Sequence, residues 1–312
     1  MENAWIIVSQ LVTAGTACCM FRCIIGEKGK NRKLSRKSIA VLTMGTLIYL
    51  LLPEHMNAVI HNRDRTQILL WMLIPVLAAA LMKMASTEIK IRKCCFGMAA
   101  VLVMGLIGRL DGVAALTILF LVCVAGICRK RWQYPVIGAL GTVMAYPTYI
   151  TWKHWLFDGS FAESGLEYGS IMYKGYSIGG LFSTYFHRNG DPGMGILLLG
   201  GIMVLIYFSF VKGRKLFNGT DAVWLASAGL LTIMSLRYFP WDLVQRIGNW
   251  ALGLVTLIRT PAVFFGYAQI ILCVWSVEKC NMILQAAREE RNEENKEKNI
   301  CKVEENTQDM AG

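Results

Sequence analysis

Nine apolar segments punctuate the chain, at roughly 4–25, 38–52, 67–82, 94–108, 112–128, 134–150, 194–211, 221–236 and 261–277. They are apolar all round, not striped. Such helices belong in lipid or inside a bundle of membrane helices. Several hold only about 15 to 17 strictly apolar residues, against the ~20 that cross ~30 Å of hydrocarbon. Their flanks make up the difference: Lys83, Arg92, Arg129 and Lys212 can snorkel, and Trp132 and Trp152 suit the headgroup region. The pattern predicts an all-α, polytopic integral membrane helix bundle of about nine transmembrane helices over residues 1–277, with a charged tail over 278–312. Composition agrees, since 55% of the 312 residues are hydrophobic and 17% charged. A soluble domain carries about a quarter charged residues, so an ordinary soluble enzyme is excluded, as is a disordered or fibrous chain.

The net charge of +11 invites a nucleic-acid reading, but the position of the charges argues for a membrane and no nucleic acid. Residues 26–37, 83–93, 129–133, 212–220 and the tail from Glu278 hold 22 of the 32 Lys and Arg. The opposite loops, 53–66, 109–111, 151–193 and 237–260, hold 9. The positive-inside rule then makes the first set cytoplasmic, with the N-terminus outside the cell and the C-terminus inside. No basic stretch precedes Ala4, so the first segment does not read as a cleavable signal peptide. A chain that opens with a helix entering from outside is expected to be the C-terminal part of a longer protein. The tail is expected to prolong the last helix to about Glu294 and then to be disordered, being polar and charged.

All ten cysteines fall in apolar segments or on the cytoplasmic side, so no disulfides are expected. Cys18-Cys19 and Cys94-Cys95 lack His or carboxylate neighbours at ligand spacing, so no metal and no cofactor is expected. Walker, HExxH and GxSxG motifs are absent.

Chemistry is sought in the outer loops. Loop 151–193 carries ten aromatics and eight glycines, and suits short interfacial helices near 160–174 and 179–188. It either forms a groove for sugar or prenyl groups or anchors itself as an aromatic belt. It closes on His187-Arg188-Asn189-Gly190-Asp191-Pro192-Gly193, where the first two either contact phosphate or belong to a turn. In loop 53–66, Pro53 ends a helix, and Arg63 and Arg65 either bind lipid phosphate or pair with Glu54 and Asp64. In loop 237–260, Arg237, Trp241, Asp242 and Arg259 flank a semi-apolar stretch, 243–258, with room for an interfacial or re-entrant helix. Asp242 is a candidate general base, and Pro261 suits the first turn of the last helix. Arg109 and Asp111 are expected to pair or to cap helices.

Phe239-Pro240-Trp241-Asp242 followed by Arg259-Thr260-Pro261-Ala262-Val263-Phe264 resembles the C-terminal half of bacterial YfhO-type membrane proteins, a GT-C-class glycosyltransferase-like family. Leu47-Ile48-Tyr49-Leu50-Leu51-Leu52-Pro53, then Arg63 and Ile74-Pro75, resembles an earlier stretch of the same proteins. The chain departs from the family at Val263, where those proteins carry Arg. The resemblance implies sugar transfer from a polyprenyl-phosphate donor at the outer membrane face, in cell-envelope or polysaccharide assembly. Arg63, Arg65, His187, Arg188, Arg237, Trp241 and Arg259 would bind substrate, with Asp242 as a substitute base. GT-C enzymes keep their catalytic carboxylate in the first outer loop, and no residue here matches it. The resemblance therefore places it upstream of Met1, in a truncated member or one whose missing helices a membrane partner supplies. Two other readings are a non-catalytic membrane subunit and a transporter or flippase of a lipid-linked sugar. The shortage of charges within the helices weighs against transport.

Overall fold

The computed structural model describes residues 2–26, 36–61, 65–145, 177, 218–240 and 263–309. Among these the chain is helical and forms no strand. The helices are α1 (Glu2–Gly26), α2 (Arg36–Leu50), α3 (Pro53–Met56) prolonged by a π-helical turn (Asn57–His61), α4 (Arg65–Ser86), α5 (Lys90–Leu110), α6 (Gly112–Cys128), α7 (Gln133–Met144), α8 (Gly219–Ser235) and α9 (Val263–Asp309).

Among the described residues, four stretches are long and apolar enough to cross a membrane: Ala4–Gly26, Arg65–Ser86, Lys90–Leu110 and Val263–Ala287. A fifth is formed if α2 and Pro53–Ile60, bent by 52°, cross as one broken span. The chain is therefore a helical membrane protein. Its outer surface agrees, because large apolar side chains such as Leu11, Ile91, Met98 and Ile127 are exposed, as lipid-facing positions should be. Segment 194–211, residues 146–150 of the sixth segment and stretch 243–258 lie outside the described residues.

The helices pack as a ring. α1 lies against α2 and α4, α4 against α5, α5 against α6 and α7, α6 against α8, and α8 against α9, which returns to α1, α2 and α3. Phe21, Tyr49, Leu70, Met104, Ile107 and Phe265 fill its core. With no solvent to drive lipid-embedded helices together, close backbone approach matters. At Gly141 a β-carbon would stand 2.4 Å from Met104 Cβ, so only glycine lets α7 sit on α5.

Three local features bear on the sequence expectations. Asp111 caps α6, its Oδ1 accepting from the Val113 and Ala114 amides at 2.8 and 3.2 Å. α2 stops at Leu50, just ahead of Pro53, with Leu52 extended as a residue before proline should be; Pro53 also opens α3, where its missing N–H costs nothing. α9 runs to Asp309, beyond the Glu294 expected as its limit. Residues 278–309 contain no Gly or Pro and are rich in Glu and Lys, both favourable to a helix.

Candidate functional site

The break between α2 and α3 is the place where polar chemistry collects. A helix broken in apolar surroundings leaves backbone groups that have no water to turn to. Side chains replace the missing ladder here. The His55 Nδ1–H donates to the Leu50 carbonyl at 2.9 Å, which leaves Nε2 to accept from the Gln10 amide at 3.4 Å. The Glu54 amide donates to Gln269 Oε1 at 3.4 Å, across to α9. His55 and Gln269 are both fully buried. Gln269 Nε2 has no hydrogen-bond partner among the described residues, leaving one buried donor beside the break.

An aromatic wall backs this arrangement. Trp71 of α4 meets His55 with ring centroids 5.3 Å apart and Tyr49 edge-on at 5.6 Å, and Tyr49 meets Phe21 at 6.5 Å. Pro75 lies inside α4 and lacks the N–H that would bond the carbonyl four residues earlier. That carbonyl belongs to Trp71, and the buried Tyr49 hydroxyl donates to it at 2.9 Å.

Between the break and α9 lies a pocket of about 220 Å³, lined among others by Glu54, Gln67, Leu70, Trp71, Gly266 and Tyr267. Gly266 sets its width. A β-carbon there would stand 3.2 Å from Glu54 Cβ and 3.4 Å from Trp71 Cζ2, so a side chain would push on the wall that carries the carboxylate. The pocket thus offers a carboxylate, an amide and two aromatic residues, a set suited to a ligand bearing hydroxyl groups.

A second polar cluster joins α8 to α9. The Lys279 ammonium lies 2.6 Å from Asp221 Oδ2, with the side chains only 3% and 7% exposed. Trp275 Nε1 donates to Asp221 Oδ1 at 3.0 Å. The Asn218 amide donates to Asp221 Oδ2 at 2.6 Å, completing a capping box at the start of α8. The contacts that Asp221 accepts thus divide between the cap of α8 and the join to α9.

Of the residues expected to bind substrate, Arg65 is exposed as the first residue of α4, two positions before the pocket residue Gln67. Arg237 is exposed after α8, where its Nη2 donates to the Tyr238 hydroxyl at 2.6 Å and its guanidinium lies 4.8 Å from that ring's centroid. Arg63, His187, Arg188, Trp241, Asp242 and Arg259 lie outside the described residues, as does loop 151–193 apart from Ser177. Sequence reasoning took Glu54 for a local partner of the arginines and passed over His55, Trp71 and Gln269. The signal available was Pro53-Glu54-His55 at the end of an apolar segment too short to cross unbroken. Among the described residues no group of three His, Cys, Asp or Glu is placed to hold a metal ion. Comparison of the chain with family models, curated proteins and solved structures finds no match.

Proposed function

We propose that this membrane protein binds the sugar of a polyprenyl-phosphate-linked saccharide at the α2–α3 break and acts as a GT-C-like glycosyltransferase in envelope or polysaccharide assembly. The observation that carries the reading is Glu54, a carboxylate on a pocket shared with Gln67, Trp71 and Tyr267. In this reading the carboxylate takes the proton of the acceptor hydroxyl as that oxygen attacks the anomeric carbon, and the donor phosphate leaves. The Trp71 face stacks on the sugar ring. Beside the break, Gln269 Nε2 is a buried donor with no partner among the described residues and would serve a sugar oxygen. Arg65 stands at the same end of α4 and would receive the phosphate, which a guanidinium binds in bidentate fashion. The resemblance to YfhO-type proteins supports the same chemistry, with Glu54 as the proposed base in place of Asp242, which lies outside the described residues.

The experiment replaces Glu54 by Gln, which keeps shape and removes the base. Purified protein in lipid vesicles is assayed for transfer of labelled sugar from a polyprenyl-phosphate donor, alongside surface polysaccharide in cells. General-base loss predicts a fall of about 10²-fold or more at unchanged protein level. Unchanged transfer and polysaccharide with E54Q would remove the reading.

One observation favours a second reading, transport of the lipid-linked sugar. Discontinuous helices with ionisable residues at the break recur in transporters, and Glu54 and His55 sit at such a break. Movement of a labelled lipid-linked sugar across sealed vesicles without glycosyl transfer would choose it over the first.

A further inference from the structure

Among the helices, an apolar cavity of about 160 Å³ adjoins the Glu54 pocket at Ile74, Tyr267 and Ile270 and extends from there toward the other end of the bundle. Its walls include Met20, Leu77, Ala78, Leu121, Val122 and Ile271, drawn from α1, α4, α6 and α9. Such a wall offers water no partners. A cavity of about 150 Å³ cut into an apolar protein core stays dry and takes up hydrocarbon. One end of this cavity has a different character: Arg129, Tyr134, Trp224, Trp275 and Glu278 line it.

That end carries a concentration of positive charge. Arg129 begins the α6–α7 hairpin, in which Lys130 and Arg131 are exposed. The Tyr134 hydroxyl donates to the Leu81 carbonyl at 3.2 Å, which ties the hairpin to α4 two residues before the exposed Lys83. Glu278 is the opposing carboxylate on the cavity, and its neighbour Lys279 is engaged by Asp221. Trp132 is 73% exposed at the hairpin, a placement that suits the headgroup layer. An apolar slot beside a cationic, Trp-marked rim matches one kind of molecule. Basic pockets between membrane helices receive anionic lipid headgroups, and a chain filling the slot gains the packing contacts an empty one lacks.

We propose that this cavity is a binding site for one anionic phospholipid, with part of one acyl chain in the cavity and the phosphate held by Arg129 and its basic hairpin. The site shares Ile74, Tyr267 and Ile270 with the Glu54 pocket but has its charged rim at the opposite end, and it does not depend on the sugar-transfer reading.

The test is native mass spectrometry of the full chain purified in a mild non-ionic detergent and offered equal amounts of phosphatidylglycerol and phosphatidylcholine. The expected result is one retained phospholipid, with phosphatidylglycerol preferred about tenfold through charge-assisted contacts. Ala78→Leu and Ala125→Leu each fill the cavity and should abolish retention while elution on size exclusion stays native. Arg129→Gln should keep a lipid and lose the preference. Excess inorganic phosphate should not displace the lipid. The proposal is overturned if the native protein retains no lipid, if natively eluting A78L and A125L retain it, or if phosphate displaces it. Should both cavity variants fail to fold, an undiminished phosphatidylglycerol preference in R129Q overturns it alone.

Discussion

Pro75 shows how a single residue writes a tertiary contact into this protein. By lacking an N–H it frees the Trp71 carbonyl, and the buried Tyr49 hydroxyl, 22 residues earlier, takes it up. A buried carbonyl left without a donor costs about 1–3 kcal/mol. Tyr49→Phe should therefore destabilise the protein by about that amount. In a Pro75→Ala background the alanine's own N–H can close the helix ladder, and the loss from Y49F should shrink. Thermal unfolding of the four variants in detergent checks this. An equal loss in both backgrounds would mean that the hydroxyl is not serving the proline notch. None of this was legible locally: Pro75 and Tyr49 stood out only as parts of a family-like stretch, and Glu54 only as a neighbour of arginines. Their roles depend on groups far along the chain, as with Gln269, which lies 215 residues from Glu54.

Helices were the most readable level of the molecule. Apolar runs located α1, α4, α5, α6 and α8 to within a few residues, because lipid requires whole turns of apolar surface and charges mark where they stop. The end of the 38–52 segment at Pro53 was readable; the turn straight into α3 was not, since only packing against α1, α4 and α9 supplies partners for the interrupted backbone. Nor was the clasp between α8 and α9. Asp221 reads by itself as an interfacial carboxylate; its ion pair with Lys279, 58 residues on, exists only once the two helices lie side by side. Removing one member of a buried pair costs about 3–5 kcal/mol, while removing both is often nearly neutral. Lys279→Met alone should thus lower the apparent unfolding temperature clearly, and Asp221→Asn with Lys279→Met should restore most of it. A double variant as weak as the single one would show that Lys279 matters for something besides this charge.

At the scale of the whole molecule, contacts sort the helix ends into two groups. Gln10, Glu54, Gln67 and Val263 gather at one end. Met20, Arg129, Tyr134, Trp224 and Glu278 gather at the other. The second group is the one that the distribution of Lys and Arg predicts to be cytoplasmic. Lys130 and Tyr238 are exposed near opposite ends. In a cysteine-free background, Lys130→Cys should react with a membrane-impermeant maleimide only in inverted vesicles, and Tyr238→Cys only in intact cells. Labelling of both from one side would refute the orientation, and the exchanged pattern would invert it.

The sequence by itself determined that this chain lives in a bilayer as helices, because hydrophobic length and basic flanks are properties of each segment alone. Tertiary structure decided which polar groups become partners: the repaired break at Glu54 and His55, the Asp221–Lys279 clasp, and the hollow ring between the helices. Those features depend on free energies shared by groups tens to hundreds of residues apart. In a medium without water such groups must find one another, and a one-dimensional pattern does not record where they meet.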